Sequence, residues 1–134
     1  MTYIFDPLRK KNVKLTPEER VRQNLIVVLN EQCGYPLSHM ASEYSFSFNS
    51  LTYRADIVVF NRQLKPKILV ECKAPSVVLS EDVIDQVIRY NYVLKVEYIL
   101  ISNGSNSLLL KKDNLTGVYS PSRNFPTFEQ LQDD

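Results

Sequence analysis

Two apolar stretches of this 134-residue chain break their own pattern with charge. ILVECKAP (68–75) runs Ile-Leu-Val and then presents Glu71 and Lys73 on either side of Cys72; RADIVVF (54–60) makes the same move with Asp56. A buried strand does not carry ionised side chains unless they are paired or used. Asp56 and Glu71, if opposite each other, repel unless something positive lies between them. Mg²⁺ suits that place, with Mn²⁺ as a substitute. Hard cations take oxygen ligands, and Mg²⁺ is often held by one or two carboxylates with water and phosphate completing its shell. The backbone carbonyl of Cys72 offers a further oxygen. Lys73 beside such an ion would orient or deprotonate an attacking water, or steady charge on a phosphate. Metal-assisted hydrolysis of a phosphodiester is the chemistry this set suits.

A Glu-x-Lys tripeptide alone carries little weight, since it arises by chance in chains of this length, and an ion pair on an exposed hairpin face would also account for it. What sets this one apart is its place inside an apolar β run, one hairpin after Asp56. The two runs read as strands joined by NRQLKP (61–66). Pairing them so that residue numbers sum to 127 sets Phe60 against Lys67, Val58 against Leu69 and Asp56 against Glu71. Because side chains alternate along a strand, Glu71, Lys73 and Asp56 then share one face. Cys72 turns the other way, with Ala55 and Ile57, into apolar packing. A slip of one residue would separate the carboxylates, so the register decides the site.

Helices must flank these strands. LTPEERVRQNLIVVLNEQ (15–32) opens with Thr16 as N-cap, Pro17 in the first helical position and Glu19 completing a capping box. Val21, Leu25, Val28 and Leu29 recur as one apolar stripe, and Gly34 and Pro36 close the helix. Glu19 points away from the stripe and reads as the cap alone. Glu18 lies over the stripe, where it is either a further metal ligand or a first-turn glutamate favoured by the helix dipole. A second helix is expected over 80–94, with Ser80 as N-cap. Gln86 and Tyr90 stand four apart on its face, readable as a solvated polar residue and a half-buried core tyrosine. EYSFSF (43–48), VEYILIS (96–102) and SLLLKK (107–112) read as further strands, the first with Tyr44, Phe46 and Phe48 on one face. The order predicts an α/β, α+β-like fold, a central mixed sheet flanked by helices. One domain over 1–134 is expected, with a basic arm at 1–15 and an irregular tail over 113–134 that ends in a short helix.

Composition narrows the classes. Apolar residues at 44% and charged residues at 23% are ordinary globular values. No apolar run approaches the length of a membrane span, the start does not read as a secretory signal, and Cys33 and Cys72 are too few for a disulfide scaffold; a cytoplasmic protein is expected. Arg9, Lys10, Lys11 and Lys14 form a basic cluster that could hold phosphates or simply be solvated. His39 is the only histidine, and three glycines include no P-loop, which argues against histidine metal clusters, a Ser-His-Asp triad and nucleotide-binding loops.

Asp56 followed by Glu71-Cys72-Lys73 resembles the PD-(D/E)xK nuclease superfamily, and QVIRY (86–90) is similar to the QxxxY motif of some of its branches. DPLRKKNVKLTPEERVRQ (6–23), RADIVVF, VECKAP (70–75) and ISNG (101–104) resemble the N-terminal nuclease domain of type I restriction enzyme motor subunits, in a small single-domain bacterial form. The similarity covers roughly residues 5–105; Ala55 stands where proline often precedes the aspartate. The resemblance implies a restriction-endonuclease-like core and Mg²⁺-dependent DNA cleavage, with Asp56 and Glu71 on the metal and Lys73 in catalysis. It places Gln86 and Tyr90 near the active site and DNA. It also implies DNA and proteins supplying motor or specificity functions as partners. The alternative on the same fold is a non-catalytic module that binds nucleic acid or a protein.

Overall fold

The computed structural model describes residues 1–133. Where a basic arm is expected, residues 3–14 form a two-stranded antiparallel ladder, β1 (Tyr3–Asp6) and β2 (Lys11–Lys14), in which Tyr3 pairs with Lys14. Asp6 is fully buried at its turn and accepts hydrogen bonds from the backbone N–H groups of Leu8 at 2.7 Å and Arg9 at 3.2 Å. Helix α1 (Pro17–Val27) then begins as its cap dictates, Thr16 Oγ1 accepting the Glu19 N–H at 3.1 Å. It runs into a π-helical turn over Val28–Gln32, and Gly34, at φ +78°, ends it. Val21 and Leu29 of the expected stripe are buried, Leu25 and Val28 half-buried, and Ile26 is buried beside them.

Six strands follow in one sheet: β3 (Met40–Phe48), β4 (Leu51–Phe60), β5 (Pro66–Cys72), β6 (Tyr98–Ser102), β7 (Ser107–Lys112) and β8 (Tyr119–Pro121), their spatial order matching the chain. Every neighbouring pair is antiparallel except β5–β6, whose crossover contains α2 (Glu81–Asn91). Parallel neighbours need such a crossover, whereas hairpins do not. The β3–β4 hairpin turns through Asn49 and Ser50, both at positive φ, as a two-residue turn of this kind requires.

The sheet separates two apolar layers. On one face α1 covers Ile57, Val59, Ile68, Val70, Cys72 and Leu100. On the other, Ile84, Val87 and Ile88 of α2 cover Ala55, Val58, Leu69, Ile99 and Ile101. The fold is α+β, a central mixed sheet flanked by helices, as the order of elements implies. Among the described residues no helix is long and apolar enough to cross a membrane.

The β4–β5 register matches the expected sum at Ile57–Val70, Val58–Leu69 and Val59–Ile68. It departs at the turn end, where an irregularity between Val59 and Phe60 sets Phe60 against Pro66 and leaves a loop of 61–65. Asn61 is the cause: its Oδ1 accepts the N–H groups of Gln63 and Lys65, each at 3.0 Å, tightening the loop so that the strand absorbs the odd residue. Ala55 also departs from expectation. It joins the α2-side layer instead of that of Cys72 and Ile57, the change of face falling across from Glu43, whose φ is +52°.

Nor is the stretch from Asp113 irregular throughout. The β8 strand pairs with β7, and the buried Tyr119 hydroxyl donates to the Val96 carbonyl. The expected final helix is one 3-10 turn, Glu129–Leu131, which buries Leu131 completely.

Candidate active site

Strand β5 ends in Glu71 and Cys72, still paired with Ile101 and Ser102 of β6, and Lys73 follows, whereas β4 leaves its pairing with β5 at this level. The last matched pair is Ile57–Val70. Beyond it the Asp56 side chain reaches across: its Oδ2 accepts the Cys72 backbone N–H at 2.7 Å. The carboxylate thus occupies the place of a ladder acceptor and is held by backbone, which leaves it little rotational freedom. Its other oxygen, Oδ1, lies 3.4 Å from Arg22 Nη2 of α1.

Glu71 lies near enough to Asp56 for the two carboxylates to act on each other electrostatically. Burial, then the Asp56 charge, push its pKa up to about 8, while Lys73 and a 3.4 Å hydrogen bond from Asn91 Nδ2 act in the opposite direction. Two converging carboxylates, one of them disfavoured as an anion by its surroundings, form an oxygen-rich site whose electrostatics a divalent cation would satisfy. The Cys72 side chain is turned away into the α1-side layer, where burial first, then Asp56, raise its thiol pKa; this leaves only its backbone carbonyl for a site role.

Helix α2 forms the opposite wall. Ser80 Oγ caps it by accepting the Val83 N–H at 3.3 Å. Four sequence-predicted residues, Glu71, Lys73, Gln86 and Tyr90, line one cleft of about 230 Å³ together with Val87 and Asn91. Gln86 and Tyr90 are exposed on their helix face. The Tyr90 hydroxyl accepts the Arg54 N–H at 3.4 Å, and its ring meets Tyr53 edge to face at 5.1 Å.

Glu18 lies at the rim. It is exposed on the first turn of α1; partial desolvation and then the Asp56 charge raise its pKa, while Arg22 and Lys73 draw it down. Among the described residues no group of three or more His, Cys, Asp or Glu side chains converges as a metal cluster, so Glu18 does not complete a three-carboxylate set with Asp56 and Glu71. Glu19 is more than the cap expected of it. The β1–β2 ladder brings Arg9 over the start of α1, and Glu19 is buried between Arg9 Nη2 at 2.7 Å, Gln23 Nε2 at 3.1 Å and Arg22 Nε at 3.5 Å. Arg9 is thereby removed from the basic cluster, whereas Lys10, Lys11 and Lys14 stay exposed.

Two contributors are absent from the sequence reading. Arg22, buried on α1, spans Glu19, Glu43 and Asp56. Asn91, buried on α2, divides its Nδ2 between the Val87 carbonyl at 2.9 Å and Glu71, while its Oδ1 has no partner among the described residues. Each carries one available signal: a polar residue embedded in the apolar surface of its helix, as Asn91 is at helical spacing from Ile84, Val87 and Ile88.

A mixed sheet with helices on both faces, whose acid-x-lysine strand pairs in parallel beyond a helical crossover, defines a restriction-endonuclease-like α+β domain. Residues 17–126 match the family described as type I restriction enzyme R protein N terminus (HSDR_N), and the chain belongs to that family. Among solved structures it is similar to a fragment of an HsdR subunit of a type I restriction enzyme from Vibrio vulnificus YJ016. The TM-score is 0.60 and the identity 20%, over 87% of this chain and 24% of that one. At that identity the likeness speaks for the fold. A search of the curated proteins finds no match.

Proposed function

We propose that this domain is a Mg²⁺-dependent DNA endonuclease of the PD-(D/E)xK type, with Mn²⁺ able to replace Mg²⁺. One observation carries the proposal: Asp56, held by the Cys72 N–H, lies beside the buried Glu71 at the end of β5, next to Lys73, and among the described residues Glu71 has no ion pair there that the fold would need. Asp56, Glu71 and the Cys72 carbonyl are the groups that would hold the cation. When bound, it would polarise the scissile phosphate and neutralise developing charge. Lys73 would orient the attacking water or balance charge on the phosphate. Gln86 and Tyr90, on the facing helix, would fix the DNA strand across the cleft they line. The cytoplasm, with motor and sequence-reading proteins alongside, is the setting that family membership favours.

Cleavage of supercoiled plasmid and of labelled oligonucleotides, with Mg²⁺ and with Mn²⁺, tests this directly. Asp56→Asn, Glu71→Gln and Lys73→Ala should each reduce cutting at least a hundredfold while the circular dichroism spectrum is unchanged. Undiminished cutting by folded Lys73→Ala overturns its role. A second reading, a module that binds nucleic acid and does not cut it, is favoured by Lys10, Lys11 and Lys14, exposed on the β1–β2 ladder with no ion pair among the described residues. Phosphate contacts from these lysines make affinity fall steeply with salt; binding that barely changes between low and moderate salt would rule that reading out.

A further inference from the structure

Beyond Tyr90 the aromatic surface continues across the β3–β4 hairpin. Tyr90 meets Tyr53, Tyr53 stacks on Phe46 with centroids 5.4 Å apart and planes 13° from parallel, and Phe46 stacks on Tyr44 at 6.3 Å. Tyr53 in turn lines a second cleft, of about 520 Å³, between the β3–β4 hairpin tip and the end of α2. Its walls include Phe48, Leu51 and Tyr92, which are 52%, 59% and 48% exposed. Clustered aromatic exposure of this kind marks a binding surface. Arg89 and Lys95 also line it, no carboxylate does, and neither cation has an ion pair among the described residues.

We infer that this second cleft receives an unpaired nucleobase of the strand whose phosphate lies at Asp56 and Glu71. The chemistry selects that occupant. Aromatic faces with free cations beside them bind bases by stacking and their phosphates by charge, a combination that an apolar peptide anchor or a lipid tail does not use. Continuity supplies the rest: Tyr90 lines the catalytic cleft, and its ring contact with Tyr53 joins that cleft to the second one. The inference rests on the DNA-cleaving role proposed above and adds a substrate class, DNA with single-stranded character next to the cut.

The test separates base stacking from cleavage by measuring binding without turnover, with Ca²⁺ in place of Mg²⁺. Fluorescence anisotropy would compare a single-stranded 12-mer, the same strand with one abasic position scanned along it, and the duplex. Wild-type protein should lose affinity about tenfold or more at one abasic position, and 2-aminopurine placed there should be quenched on binding. The Phe48→Ala/Tyr92→Ala variant, altered only at half-exposed side chains, should bind the intact single strand as weakly as the abasic one and lose less than twofold on duplex. An abasic scan without effect on wild-type protein overturns the inference even if DNA is cut. Conversely, position-specific stacking in a protein that never cuts sustains it and removes the nuclease role alone. A dimer in sedimentation that Phe48→Ala/Tyr92→Ala dissolves would assign the cleft to a second copy of the chain and overturn it.

Discussion

The carboxylate of Asp56 accepts the backbone N–H of Cys72 at 2.7 Å, standing in for a ladder bond that β4 and β5 no longer make. One side chain thus both finishes the hairpin and fixes the spacing of the two acids. Its removal has a structural cost separate from chemistry. Asp56→Ala leaves the Cys72 N–H without this acceptor and takes one of three carboxylates from buried Arg22. The expected loss is about 2–4 kcal/mol, read as the urea midpoint. Asp56→Asn keeps an acceptor oxygen and should lose clearly less. Equal losses in the two variants would mean that the Cys72 bond contributes nothing.

Glu71 works against the fold while no cation is bound, because burial and Asp56 disfavour its charge. Glu71→Gln should therefore raise the Tm of metal-free protein at pH 7.5, by roughly 3–6 °C for each kcal/mol relieved. Mg²⁺ should raise the wild-type Tm in a concentration-dependent way and leave Glu71→Gln nearly unmoved. A variant less stable than wild type in metal-free buffer would contradict the account of the pair.

Asn91 is a positioning residue, reaching the reaction through Glu71. Asn91→Leu removes the 3.4 Å bond to Glu71, the 2.9 Å bond to the Val87 carbonyl and an Oδ1 that has no partner among the described residues. Stability should change by no more than about 1–2 kcal/mol, since a buried group lacking a partner disappears together with the two bonds. By contrast, kcat should fall about tenfold with KM for DNA unchanged, and the Mg²⁺ midpoint of the Tm shift should rise. An unchanged Mg²⁺ midpoint would confine Asn91 to packing.

Asp6 gives the acid limb of stability. Burial opposes its ionisation, yet the Arg9 side chain, the Leu8 and Arg9 N–H groups and the Arg9 charge outweigh that and hold its pKa below the ordinary 3.8. A carboxylate depressed in the folded state contributes stability above its unfolded pKa and loses it as pH falls through the folded value. Asp6→Asn should thus cost about 2 kcal/mol at pH 7, and its Tm deficit should shrink below about pH 4. A deficit constant from pH 7 to pH 2.5 would show that charge on Asp6 plays no part.

The strands and the caps were legible because their signals are local. Thr16 and Ser80 sit where a cap must, and alternation from Ile57 to Val59 and from Ile68 to Val70 fixes their faces, so the pairing from Ile57–Val70 to Val59–Ile68 follows from arithmetic. What escaped depends on contacts distant in sequence or on backbone that no residue type announces. Lys10, Glu43 and Leu64 take positive φ without being glycine, which hides the β1–β2 turn, the face change near Asp56 and the shortened loop before β5. Glu19 looked like a cap because Arg9 is brought to it only by folding of the N-terminal ladder. Arg22 and Asn91 each contradict an apolar helix surface, and only the third dimension shows that Asp56 and Glu71 are what they answer to.

The single parallel pair, β5 beside β6, also sets when the site comes into being. Asp56 and Glu71 are joined by a short hairpin that closes early on any folding route. Gln86, Tyr90 and Asn91 ride on the crossover, which is fixed only after Ile68 and Tyr98, thirty positions apart, have paired. A partly folded or locally opened chain therefore holds the two acids together without the wall that faces them. Activity regained during refolding would lag behind recovery of hairpin structure and report completion of the slowest contact in the sheet.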